Sequence, residues 1–231
     1  MRVYIATKNA GKLRELRQIL AAYGWEACAF EGYADVVEGE TSYPENAALK
    51  ARALRGALDA AGIADPALGD DSGLEVAALG GRPGVLSARY GGAGATWADR
   101  RRLLLADTAA AVTSAPSATV TSAPSATVTS DSSASVTSDS SSFLTSDAYR
   151  TARAARFVCA LHWVPADGPE TAVESSFAGF VAHEERGEGG FSYDAIFELN
   201  DGRTFAELSE SEKNAISHRA RAVAALMTAL S

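Results

Sequence analysis

The sequence predicts an α/β protein, a mixed β-sheet with flanking helices, and three observations carry that reading. The chain opens as strand, polar loop and helix: "RVYIA" at residues 2–6 leads into "TKNAGK", then Leu13, Leu16, Leu20 and Tyr23 recur at spacings of three and four. Helix-start signals recur downstream, with Ser42 ahead of Pro44 and Ser209 three residues ahead of Glu212. Two long runs, "ARFVCALHWV" and "TAVESSFAGFVA", have the β-branched and aromatic content of strands.

Taken in order, the first helix follows "TKNAGK". A second runs from near Pro44 to Ala61, with Ser42 as its cap and Gly62 as its stop. Residues 67–71 and 74–79 read as short strands on either side of Ser72-Gly73, and "YDAIFEL" as a further strand after the two long ones. One last helix follows Ser209, its buried stripe made of Ile216, Ala220, Val223, Met227 and Leu230.

Composition narrows the partners. The 231 residues are 47% hydrophobic, enough for a large core, and the net charge of −8 argues against a broad nucleic-acid surface. A local basic pocket for a small anion remains compatible with that charge. Cys28 and Cys159 are far apart and in no ligand-like spacing, which predicts neither a disulfide framework nor a zinc site and suits a reducing cytoplasm. No apolar run is long enough to span a bilayer, and "RVYIA" reads as a first strand rather than an export signal.

The expected organisation is a single domain over 1–231, interrupted at about 113–146. Residues 114–145 form four octads, "SAPSATVT" twice, then "SDSSASVT" and "SDSSSFLT". Between Thr113 and Ser146, 20 of 34 residues are Ser or Thr and none is Lys or Arg, too little apolar area to offset the entropy of ordering. The segment is expected to be a disordered insertion; a modifiable tether and an edge hairpin are the alternatives.

Three stretches carry chemistry. "TKNAGK", between strand and helix, offers backbone N–H groups and the side chains of Thr7, Asn9 and Lys12 to phosphate oxygens, or else is an ordinary turn with a solvated lysine. In "GDDSGL", alternation on an extended segment sends the adjacent carboxylates to opposite faces. Asp70 could then accept backbone hydrogen bonds at the strand end while Asp71 reaches a cleft to hold a hard cation and activate water; turn capping is the alternative for both. Glu38, Glu40 and Glu45 supply nearby acids. "GGFSYDAIF" sets Phe191 and Tyr193 beside glycines, suited to stacking on a nucleobase or to core packing. "EKNAISHRA" places Lys213 and Ser217 one turn apart, followed by His218 and Arg219, a ligand-facing or a solvated helix face.

Joined in order, "ATKNAGKLREL", "ENAALKA", "DDSGLEV", "GGRPGVLSARY", "FSYDAIF" and "EKNAISHR" resemble the motifs of the inosine triphosphate pyrophosphatase (ITPase) family. They span nearly the whole chain outside the octads. The resemblance implies a Mg²⁺-dependent enzyme that cleaves deaminated purine nucleoside triphosphates to monophosphate and pyrophosphate. It also implies a mixed α/β fold with two lobes around a central nucleotide cleft, and a homodimer. By the same resemblance Thr7, Lys8, Asn9, Ala10, Gly11 and Lys12 form the triphosphate loop, and Asp71 is proton acceptor and metal ligand. Ser72 and Arg89 contact substrate. Phe191, Ser192, Tyr193 and Asp194 form the base loop, and Lys213, His218 and Arg219 hold the nucleotide and its base. The second metal ligand falls at Glu38, with Glu45 in reserve.

The chain departs from the family where Phe-Gly-Tyr-Asp-Pro is usual: Ser192 replaces the glycine and Ala195 the proline. A serine there is strained if its φ is positive and harmless otherwise. Two other functions stay open on sequence, a pyrophosphatase with a different base preference and a nucleotide-binding protein made inactive by the insertion or the altered loop.

Overall fold

The computed structural model describes residues 1–114 and 150–231. A seven-stranded mixed sheet forms the centre, in the order β2-β1-β3-β5-β6-β7 with β4 paired to β3. The strands are β1 (Arg2–Ala6), β2 (Glu26–Cys28), β3 (Ala67–Val76), β4 (Pro83–Gly84), β5 (Ala154–Val164), β6 (Thr171–Val181) and β7 (Phe197–Glu198). β1 pairs in parallel with β2 and β3, and the remaining pairings are antiparallel. The helices are α1 (Ala10–Ala21), α2 (Tyr43–Ala60), α3 (Trp97–Ser114), α4 (Glu210–Ile216) and α5 (His218–Leu230). Among the described residues no helix is long and apolar enough to cross a membrane.

Strand alternation decides which layer each residue joins. Val3 and Ile5 of β1, Leu68 of β3 and Leu161 and Trp163 of β5 pack in one cluster with Leu16 and Leu20 of α1 and Val223 and Leu226 of α5. The alternate residues Ala6, Ala67, Val158 and Ala160 lie with α2, against Leu54, Leu58 and Ala47. A further cluster joins Leu74, Phe157, Tyr193, Phe197 and Phe205 to Leu104 of α3. The two cysteines are free.

Several local expectations are corrected. Residues 67–76 form one continuous strand paired along its length with β5, so Ser72-Gly73 is no break, and Ala77–Leu79 is a 3-10 turn. The glycines flanking the acidic pair mark close approach: a Cβ at Gly69 would lie 2.0 Å from the Ala47 carbonyl oxygen of α2, and one at Gly73 2.2 Å from that of Gly84. "YDAIFEL" is mainly a 3-10 turn over Asp194–Ile196, leaving two residues to β7. The C-terminal helix is two helices, because Ser217 leaves helical geometry at ψ 161° and caps α5 through its side chain. Ile216 is therefore exposed, as is Tyr23, which lies beyond the end of α1. Helix α3 has no counterpart in the sequence reading; it extends through Thr113 and Ser114, and the rest of the octad segment lies outside the described residues.

Candidate nucleotide site

The N-terminal loop is organised around Asn9. Its Oδ1 caps α1 by accepting from Gly11 N at 2.9 Å and Lys12 N at 3.2 Å, while Thr7 Oγ1 accepts from Asn9 N at 3.1 Å. Asn9 thus acts as an acceptor for the helix through Oδ1 alone, and its Nδ2 group takes no part in the cap. Lys12 reaches across to ion-pair with Asp70.

The adjacent carboxylates point to opposite faces of β3. Asp70, on the α1/α5 side, accepts from Arg219 Nε at 2.9 Å and from Ser72 Oγ at 3.1 Å. Its partners are side chains, so it does not cap a strand end with backbone hydrogen bonds. Burial alone would raise its carboxyl, but the Arg219 and Lys12 charges outweigh that and hold it well below the usual carboxylate range.

Asp71, on the α2 side, accepts from Lys50 Nζ at 2.9 Å and Asn46 Nδ2 at 3.0 Å. Burial pushes this carboxyl up, and Lys12 and Lys50 only partly oppose it. Lys50 Nζ also contacts Glu38, so one buried cation is shared by Glu38 and Asp71. Burial disfavours its charge, but Asp71 and Glu38 more than restore it. Asn46 fixes the neighbouring loop, accepting from Gly39 N at 2.8 Å and donating to Gly39 O at 3.2 Å. Arg89 donates to the same carbonyl at 3.0 Å. Glu45, the reserve metal ligand, is exposed in the first turn of α2.

At the other end, Asp194 Oδ2 accepts from Phe191 N at 2.7 Å and Lys213 Nζ at 2.6 Å, bending the 191–194 loop into its turn. Burial leaves the Asp194 carboxyl raised despite Lys213. Lys213 Nζ lies 4.7 Å from the Phe191 ring centroid, and Tyr193 donates to Ser87 O at 3.0 Å. Gly11 lies under Phe191, where a Cβ would come 2.8 Å from the ring. His218 stacks on Phe157 at 4.6 Å; burial, with Arg219 and Lys213 nearby, drives its pKa well below the ordinary histidine value, and its Nδ1 is buried without a hydrogen-bond partner. Arg219 is fully committed: Nε to Asp70, Nη1 to Glu15 and Nη2 to Ser72 Oγ at 3.1 Å.

Two cavities collect these residues. Ser72, Phe191, Ser192, Tyr193, Asp194, Lys213, His218 and Arg219 line one, Thr7, Lys8, Glu38, Lys50 and Arg89 line the other, and Asn9, Lys12 and Ala88 line both. Of the expected site residues, Ala10, Gly11 and Asp71 line neither: Ala10 is exposed at the start of α1, Gly11 lies under Phe191, and Asp71 is buried behind Lys50, which itself lines the second cavity. Sequence reasoning missed Asn46, Lys50 and Glu15. The spacing of Asn46 and Lys50 in "ENAALKA", one turn apart on α2, was the available signal; Glu15 had none, since only α5 packing against α1 brings it to Arg219.

Ser192 is the only non-glycine with positive φ among the described residues, at φ 62°. The replacement of glycine is therefore strained. Ser192→Gly is expected to raise stability by about 0.5–1 kcal/mol, the relief of the left-handed conformation less the added freedom of the unfolded chain. Denaturant unfolding measures it; an equal or lower midpoint would show that the loop carries no such strain.

These features define a mixed-sheet α/β protein with adjoining cavities, one aromatic and cationic, the other bordered by Glu38 and by the lysine it shares with the buried Asp71. The chain belongs to the Ham1 family, whose sequence profile matches residues 3–142 and 138–229. It is 38% identical over 228 residues to a dITP/XTP pyrophosphatase of Geobacillus kaustophilus, covering 97% of this chain and 91% of that one. It is 39% identical over 233 residues to a dITP/XTP pyrophosphatase of Thermus thermophilus, covering 99% and 91%. The solved structure of a HAM1 protein from Coxiella burnetii superposes with a TM-score of 0.68 at 32% identity, covering 100% of this chain and 98% of that one.

Proposed function

We propose that this chain is a nucleoside triphosphate pyrophosphatase, a hydrolase that cleaves deaminated purine nucleotides (ITP, dITP, XTP) to monophosphate and pyrophosphate and so removes them from the nucleotide pool. The observation that carries the reading is the shared wall: Asn9 and Lys12 border both the aromatic cavity and the one beside Glu38 and Lys50. A ligand with a flat base at one end and a polyphosphate at the other fits that arrangement, and the names of the relatives point to the same substrates.

Asp71 is the proton acceptor in this reading. Its upward-shifted carboxyl is a better base than an exposed one, and water attacking the α-phosphorus would lose its proton to it. Lys12, Lys50 and Arg89 border the cavity where the triphosphate charge would lie and would offset the charge that develops on departing pyrophosphate. Lys12 would exchange part of its contact with Asp70 for phosphate.

The donor set suits magnesium. Glu38 and Asp71 already reach one common cation, the Lys50 ammonium, and carboxylate oxygens are the ligands a hard divalent ion takes. Bound by these two residues, Mg²⁺ would supply charge neutralisation and a lowered pKa for water.

At the base end, His218 Nδ1 and the Lys213 ammonium are the candidate contacts for a 6-oxo group, where adenine would present an amino donor. A homodimer and a cytoplasmic location complete the proposal on the strength of the family resemblance.

With magnesium present, the protein is expected to release pyrophosphate from dITP and XTP much faster than from dATP or dGTP. Stepwise orthophosphate release would overturn the reaction type. Tight dITP binding without turnover would indicate a nucleotide-binding protein, and faster turnover of a pyrimidine would indicate another base preference.

A further inference from the structure

We propose that Trp97 is a specificity-determining residue, an aromatic wall of the base pocket that favours bicyclic purines over monocyclic pyrimidines. The inference rests on the functional reading above and adds to it a residue outside the six motifs. Trp97 is the first residue of α3 and lines the aromatic cavity together with Ala88, Phe191, Tyr193 and His218.

The indole is held in place from several directions. It meets the Tyr193 ring edge-to-face, with centroids 5.4 Å apart at 83°, and the Arg100 guanidinium carbon lies 5.2 Å from its own ring centroid. Thr96 and Asp99 close the helix start reciprocally: Asp99 N donates to Thr96 Oγ1 at 3.1 Å and Thr96 N to Asp99 Oδ2 at 3.0 Å. Arg101, one turn on, donates from Nη1 to the Ser192 carbonyl at 2.9 Å, tying α3 to the base loop itself. A half-buried tryptophan fixed in this way lines the cavity with indole surface already ordered, so a ligand meeting it costs little further side-chain entropy. Stacking on such a wall grows with the area of the base, so a purine gains more than a pyrimidine.

Three tryptophans make a test available, because Trp25 and Trp163 pack on each other at 5.1 Å in the α1/α5 core cluster, which leaves Trp97 as the one lining the pocket. In the parent protein, titration with dIMP is expected to quench tryptophan fluorescence, and Trp97→Phe should abolish the quench while retaining most binding. Trp97→Ala should raise KM for dITP by about tenfold to a hundredfold and KM for dUTP by less than about threefold, with kcat for dITP within about threefold. Trp97→Phe should restore most of the lost preference. An unchanged dITP-to-dUTP preference in Trp97→Ala, or a quench that persists in Trp97→Phe, overturns the proposal. So does an equal fall in kcat for both nucleotides with a lower Tm, which is the signature of a purely structural role. Failure of the parent to turn over dITP while the Trp97-dependent quench is present would remove the enzymatic reading and leave the pocket assignment standing. Absence of any quench in the parent overturns the assignment itself.

Discussion

Asp71→Asn is expected to lower pyrophosphate release by roughly 10²–10⁴-fold while leaving the fold intact. The substitution keeps the shape of the side chain and an oxygen for Lys50 or Asn46, but removes the proposed proton acceptor and half of the carboxylate pair around Lys50. Stability should survive for a reason of sign. A carboxyl whose folded pKa is raised by burial adds stability only as the pH falls toward that pKa, and at neutral pH its buried charge is a cost. Lys50 keeps Glu38 as a counter-ion. Turnover and thermal unfolding, measured beside the parent, test the two halves separately. A folded Asp71→Asn variant with near-parental turnover would remove Asp71 from the chemistry.

Arg219→Ala has the largest expected effect on stability, a loss of about 3–5 kcal/mol. Its guanidinium lies between Asp70 and Glu15, all three buried, and truncation leaves two carboxylates in the core with only Lys12 and Lys213 near them. The pH dependence should change with it. The folded pKa of Asp70 is depressed, so its contribution is present above the ordinary carboxylate value and is lost as the pH falls through the folded value. Without Arg219 that acid-side loss should shrink, because the depression itself is reduced. Urea unfolding at neutral and acidic pH measures both. A loss below about 1 kcal/mol would mean the pair behaves like a solvent-screened surface ion pair. These variants separate the two acids of "GDDSGL": the carboxylate proposed for the chemistry, and its neighbour in a buried ionic lattice.

How much of this was legible depended on range. Local chemistry wrote two of the caps: Ser42 on α2 and the reciprocal Ser209–Glu212 box on α4 are where the sequence places them, because a cap acts within three residues, whereas Asn9, read from sequence as a phosphate donor, also caps α1. Alternation along β3 separated Asp70 from Asp71 for the same reason. Helix α3 was missed because its polar and apolar residues show almost no amphipathic segregation, and the break at Ser217 because its hydroxyl satisfies a new helix start in the middle of an unbroken apolar stripe.

By itself the sequence determined the fold class, the strand-loop-helix opening, the order of the six motifs and the family they belong to. Each of these depends on residue type and short spacing. Only the tertiary structure decided that Lys50 joins Glu38 to Asp71, that Glu15 and Asp70 clasp Arg219, that Ser192 is held at positive φ and that Trp97 lines the aromatic cavity. Those contacts join residues up to 204 positions apart, as Glu15 and Arg219 are, and their strength comes from burial. A charge or ring acquires its partner and its shifted pKa once the packed sheet and helices have excluded water, a condition no local pattern in the chain encodes.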